Sequence, residues 1–113
     1  MPTRSSSPLL ALAALVAAAT AFVYAPALRN GFVNWDDPML VYQPGALRGL
    51  GPGFLAWAFT PRNANWHPLT SISLALDLRA GGPRAFDFHL SSLLLHALNT
   101  GLVVLLAGLL WKK

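Results

Sequence analysis

Cysteine is absent from this 113-residue chain, so it has no disulfide framework, no thiolate metal site and no cysteine nucleophile. Glutamate is absent too. The only acids are Asp36, Asp37, Asp77 and Asp87, set against six Arg and two Lys. Charged residues make up 11% of the chain, less than half the roughly 25% of soluble domains. The net charge of +4 is scattered rather than clustered, which leaves nucleic-acid binding without an electrostatic footprint. No GxxxxGK phosphate loop, GxSxG nucleophile elbow or His-Glu-x-x-His zinc motif occurs. Apolar residues, at 55%, exclude a disordered chain.

The charges that do occur are confined. Residues 5–28 and 88–111 carry none, while all four acids and five of the six Arg fall within residues 29–87. A bilayer core needs about 20 apolar residues in a helix, and Pro8–Leu28 and Phe88–Trp111 each supply that. The expected fold is therefore an all-α membrane protein, with two transmembrane helices (8–28 and 88–111) joined by a loop over 29–87. Residues 1–7 and 112–113 form short cytoplasmic ends. Trp111-Lys112-Lys113 reads as an interfacial stop, and with Arg4 it keeps both ends inside, so the loop crosses to the external side. Arg4, the apolar run and Ala19-Thr20-Ala21 also fit a cleaved signal peptide, with a mature chain beginning near Pro26. The run is long for a signal core and Tyr24 falls where an interfacial aromatic belongs, which favours an uncut span.

The loop holds Trp35, Trp57 and Trp66 with several Phe and Leu, so it has apolar surface to bury. Gly51-Pro52-Gly53 opens a short helix running to about Phe59, suited to lying at the membrane surface. A second helix starts near Pro68, passes through Leu69, Ile72, Leu76 and Arg79, and ends at Gly81-Gly82. Pro83 can open the helix that leads into the second span.

Three groups of residues are chemical candidates. Asp36-Asp37 places two carboxylates a few residues past the first span. Neighbouring like charges resist double ionisation, which suits general-base work on a hydroxyl or binding of a divalent cation. The same Asp-Asp-Pro is also a good turn and helix start. Asn65, Trp66 and His67, with Arg62 beside them, concentrate donors and a stacking face that could bind an anion or a sugar. A capped loop-to-helix junction accounts for them equally well. In the second span His89, Ser92, His96, Asn99 and Thr100 share a stripe about 100° wide, which should face protein or a watery cavity rather than lipid. His89 and His96, nearer the loop, are the functional candidates; Asn99 and Thr100 suit helix–helix hydrogen bonding.

Taken together, Gly31-Phe32-Val33-Asn34-Trp35-Asp36-Asp37, Asn65-Trp66-His67-Pro68-Leu69-Thr70, Ser73, Asp77, Phe88-His89-Leu90 and Leu94-Leu95-His96-Ala97-Leu98-Asn99 resemble a known pattern. It is that of the N-terminal part of the tetratricopeptide-repeat-containing membrane O-mannosyltransferase-like proteins. These are C-type glycosyltransferases (GT-C fold), with the protein O-mannosyltransferases as relatives. The similarity covers about Asn30 to Thr100. Gln43-Pro44 stands where the family usually has Asn-Pro, and Ser71 where a Trp is common.

The resemblance implies a multi-pass enzyme that moves a mannose-like sugar from a polyprenyl-phosphate donor to an acceptor hydroxyl on protein or glycan at the outer face of the membrane, and the bias toward Ala, Arg, Gly and Pro points to a bacterial inner membrane. Asp36 would be the general base, with Asp37 supporting it or helping to hold a divalent cation where one is used. Arg62, His67 and His89 would serve the departing phosphate. A chain of this length cannot enclose such a reaction, so it is expected to be an N-terminal portion, inactive without its remaining transmembrane helices. The alternative is a small two-span scaffold without catalysis.

Overall fold

Seven of the eighteen residues from Ser7 to Tyr24 are Ala and most of the rest are Leu or Val, so nothing interrupts a helix there. This is α1 of a computed structural model that describes residues 7–42, 49–61 and 65–111. Pro26 cannot donate to the helical ladder, and the chain tightens into a 3₁₀ segment over Ala25–Arg29. A wide turn of π-helix follows at Pro38–Tyr42, then α2 (Pro52–Phe59), α3 (Pro68–Gly81) and α4 (Ala85–Leu110). The described residues contain no strand.

The helix boundaries have local causes. Pro52 and Pro68 occupy first-turn positions, where a missing N–H costs nothing. The α3 helix ends where Gly82 adopts φ +73, and the Gly82 N–H reaches back to the Leu78 carbonyl at 2.9 Å. Helix α4 begins at Ala85, two residues after Pro83, where the sequence places the opening of the helix that leads into the second span. Asp87 lies in its first turn, and Arg84 grips that carboxylate with both guanidinium branches, at 2.7 and 3.1 Å.

The chain divides into two units, residues 1–28 with 90–113, and residues 29–89. In the first unit α1 and α4 run antiparallel along a seam of small residues. Ala13, Leu93, Ala97 and Gly101 are buried there. A Cβ on Gly101 would stand 3.4 Å from the Ala13 carbonyl oxygen and 3.6 Å from the Ala17 Cβ. Further along, the Thr20 and Thr100 hydroxyl oxygens lie 3.2 Å apart, and Tyr24 meets His96 edge-on at 4.9 Å. Thr20 donates to the Val16 carbonyl and Thr100 to that of Ala97, at 2.9 and 2.8 Å, so both hydroxyls are satisfied within their own helices.

The outer faces of these helices are apolar and uncovered. Only 6% of the most apolar window of α1 is buried, and 11% of that of α4. A core helix of a water-soluble domain would be covered, so these values fit lipid-facing surfaces instead. At about 1.5 Å per residue α4 extends roughly 39 Å, enough for a bilayer core of about 30 Å. The protein thus has two helices long and apolar enough to cross a membrane, joined by a loop that carries short helices.

The second unit is held by a small core. Ala75 of α3 is fully buried against Phe54 and Ala58 of α2, with Trp57, Ile72 and Leu78 around them. Phe54 and Trp57 stack within α2, with ring centroids 5.9 Å apart. The Pro38–Tyr42 turn packs on α3, burying Val41, and Phe32 meets Phe88 edge-on at 5.5 Å.

The seam makes a size-dependent prediction. Gly101→Ala places its methyl at ordinary contact distance and should leave the thermal unfolding midpoint in detergent nearly unchanged. Gly101→Leu has no space between Ala13 and Ala17 and should destabilise the hairpin by about 1–3 kcal/mol. Circular dichroism melts of the two variants check this.

Candidate functional site

The two carboxylates of the Asp pair have different surroundings. Asn34, Trp35 and Asp36 follow a bend, which leaves the Asp36 carboxylate exposed with no hydrogen-bond or ion-pair partner among the described residues. Asp37 is half-buried, and its Oδ2 accepts the Val33 backbone N–H at 2.7 Å. This Asx-like closure ties the loop on itself. The Asp36 carbonyl accepts the Leu40 N–H at 2.9 Å, so Asp36 also heads the turn that continues into Met39 and Leu40.

Met39 and Leu40 form one wall of a small open cleft of about 80 Å³ in the second unit. Trp57 and Ala58 of α2 and Leu74 of α3 complete its apolar floor, while Thr60, Asn65, His67 and Ser71 supply the polar groups. Their placement follows from local structure. Thr60 is the residue after α2, its N–H held by the Trp57 carbonyl at 3.2 Å, and its hydroxyl donates to the Ala56 carbonyl at 2.7 Å. His67 precedes Pro68 at the start of α3, and its carbonyl accepts the Ser71 N–H at 3.2 Å. The imidazole of His67 is thereby set at a helix start, on an exposed residue beside the cleft.

Asn65 and His67 are thus brought together, but Trp66 between them is not part of the cleft. Its indole N–H donates to the Phe59 carbonyl at 2.9 Å, and its ring stands against Phe59 with centroids 6.4 Å apart. Trp66 therefore closes the end of α2, and the aromatic that lines the cleft is Trp57. Thr60, Ser71 and Trp57 were not singled out from the sequence. Ser71 sits one helical turn beyond His67, a spacing that places both on one side of α3 and could have marked it. Arg62 lies outside the described residues.

The two span histidines are in different units. His89 belongs with the loop, half-buried beside Phe88, and its Nε2 is shielded from solvent without a hydrogen-bond partner. His96 belongs to the helical hairpin, exposed on one side and against Tyr24 on the other. Among the described residues no three His, Asp or Glu side chains converge as metal ligands. Comparison of the chain with protein-family models, curated proteins and solved structures found no match.

Asp37 and Asp36 should respond differently to substitution. Asp37→Ala removes the acceptor from the Val33 N–H, and amide exchange at Val33 should quicken by about fivefold, as expected for a hydrogen bond worth about 1 kcal/mol. Asp36→Ala leaves that bond in place and should leave the Val33 exchange rate unchanged.

Proposed function

We propose that this chain is the N-terminal portion of a membrane glycosyltransferase of the GT-C class, moving a sugar from a polyprenyl-phosphate donor to an acceptor hydroxyl. The observation that carries the reading is the pairing of an unengaged carboxylate, Asp36, with a polar cleft that begins one turn further along the chain. The sequence pattern from Asn30 to Thr100 supports it, as do two helices suited to holding such a loop at a bilayer.

The chemistry assigns one task to each group. A lipid-linked donor keeps its tail in the bilayer, so its anomeric carbon is available only at the interface, where the loop 29–87 is anchored by a helix at each end. Asp36 takes the proton from the acceptor hydroxyl as its oxygen attacks the anomeric carbon. The bond from that carbon to the phosphate oxygen breaks, and its electron pair leaves with the phosphate. Donors that meet the growing negative charge favour this step. His67 and Asn65, with Arg62 and His89, are the groups assigned to it, while Trp57 gives the cleft an aromatic wall for a sugar face. Asp37 acts by holding the loop that carries Asp36. The exposed Trp35, Phe59, Trp66 and Leu69 suit contact with headgroups, and the natural site of action is the external face of a bacterial inner membrane.

The test uses membranes containing the full reading frame to which this chain belongs, supplied with a labelled polyprenyl-phosphate sugar. Asp36→Asn should lower transfer by about 10²–10⁴-fold while leaving expression and membrane insertion unchanged. Transfer at the wild-type rate would refute the role of Asp36. Because the chain has no Cys, Leu55→Cys offers a clean probe of sidedness. An impermeant maleimide should label it from outside intact cells, and labelling only after lysis would place the loop on the wrong side for the donor.

A further inference from the structure

Helix α4 has a second face that α1 leaves bare. Ser92, Leu95, Asn99, Leu102, Leu106 and Leu109 follow one another at alternating spacings of three and four residues, which are the a and d positions of a heptad. All six are exposed, the four leucines by 50% to 61%. The contact with α1 runs instead through Leu93, Ala97 and Gly101, roughly 180° around the helix from this row.

Leucines alone would require no partner in a bilayer, since lipid tails satisfy them as well as another helix does. Asn99 changes the balance. Its amide carries two donors and an acceptor in the middle of an apolar helix, and nothing among the described residues pairs with it. Left against hydrocarbon, those groups are costly.

We propose that a second copy of this chain docks along the row, α4 beside α4 and parallel, about a two-fold axis normal to the membrane. Such a contact sets each residue opposite its own copy, and this row suits that arrangement residue by residue. The amide of Asn99 donates to and accepts from its counterpart, the Ser92 hydroxyls do the same, and the leucines interdigitate. No residue in the row is charged, so nothing repels the copy. A single Asn at an a position among d-position leucines also fixes one register, because any slip leaves both amides unpaired. The inference rests on α1 and α4 each crossing the membrane and makes no use of the transfer chemistry.

Cross-linking of the full chain in native membranes tests it, and the absence of Cys makes single-Cys variants unambiguous. Leu95→Cys, Leu102→Cys and Leu106→Cys should give oxidised dimers in about tenfold higher yield than Leu94→Cys and Ala107→Cys, which lie off the row. Adding Asn99→Leu to Leu102→Cys should lower the yield by about fivefold or more, and Asn99→Gln should keep much of it. Equal yields on and off the row, or a monomer throughout, would overturn the proposal, as would a different span covering the row. Alkaline carbonate extraction separates the two levels of the argument. A chain released by carbonate overturns the spanning reading and the dimer with it, whereas a retained chain without cross-links on the row overturns the dimer alone.

Discussion

Apolar helix surface that water cannot cover is the constraint behind the rest of this molecule. Helices α1 and α4 bury about a tenth or less of their most apolar stretches, and their contact with each other covers little of the rest. Burial of apolar area contributes about 25 cal/mol per Å², so a medium that covers both helices stabilises the protein far more than the small core of the loop does. The loop inherits its boundary conditions from this. It enters and leaves through helices long and apolar enough to cross a membrane, and its own aromatic residues, Trp35, Phe59 and Trp66, remain exposed rather than gathering in a larger core.

Within that constraint the two helices divide their surfaces by residue size. Contact between α1 and α4 depends on small side chains, Ala13 and Ala17 facing Ala97 and Gly101, which let the backbones approach. Packing is the driving force here, because leucine gains nothing by leaving lipid for another leucine unless the fit is close. The polar residues at the edge of the contact are satisfied cheaply. Thr20 and Thr100 bond to carbonyls one turn back, and His96 lies against the Tyr24 ring. Ser92 and Asn99 have no such local remedy within the described residues, so the polar stripe of α4 is only half accounted for by its partner α1.

How much of this was legible beforehand depends on the kind of signal. Pro52, Pro68 and Gly82 mark backbone conformations that few other residues adopt, so the ends of α2 and α3 could be read directly from them. Pro83 marks the start of α4 in the same way, two residues before Ala85, whereas the Arg84–Asp87 pair in its first turn is a side-chain contact that hydropathy does not register. The π-turn at Pro38–Tyr42 was not foreseen, since Asp-Asp-Pro predicts a turn without its width. Trp66 was read as a stacking face from its neighbours Asn65 and His67. Adjacent residues on an extended segment point in different directions, and its indole went to the Phe59 carbonyl while Trp57, from another helix, entered the cleft. Contacts of that kind depend on how α2 meets α3, which no local pattern states.

The Asp pair shows what the fold adds to a motif. In the sequence only a resemblance separates Asp36 from Asp37; in the structure their contacts do. The Asp37 oxygen that accepts the Val33 N–H at 2.7 Å is held in place by the bond that closes the loop. The Asp36 carboxylate one residue earlier is exposed and makes no such bond among the described residues. The Val33–Asp37 contact therefore does more than close a turn. It makes one acid structural and leaves the other available, and it fixes the available one at the head of the segment whose next turn, Met39 and Leu40, walls the cleft.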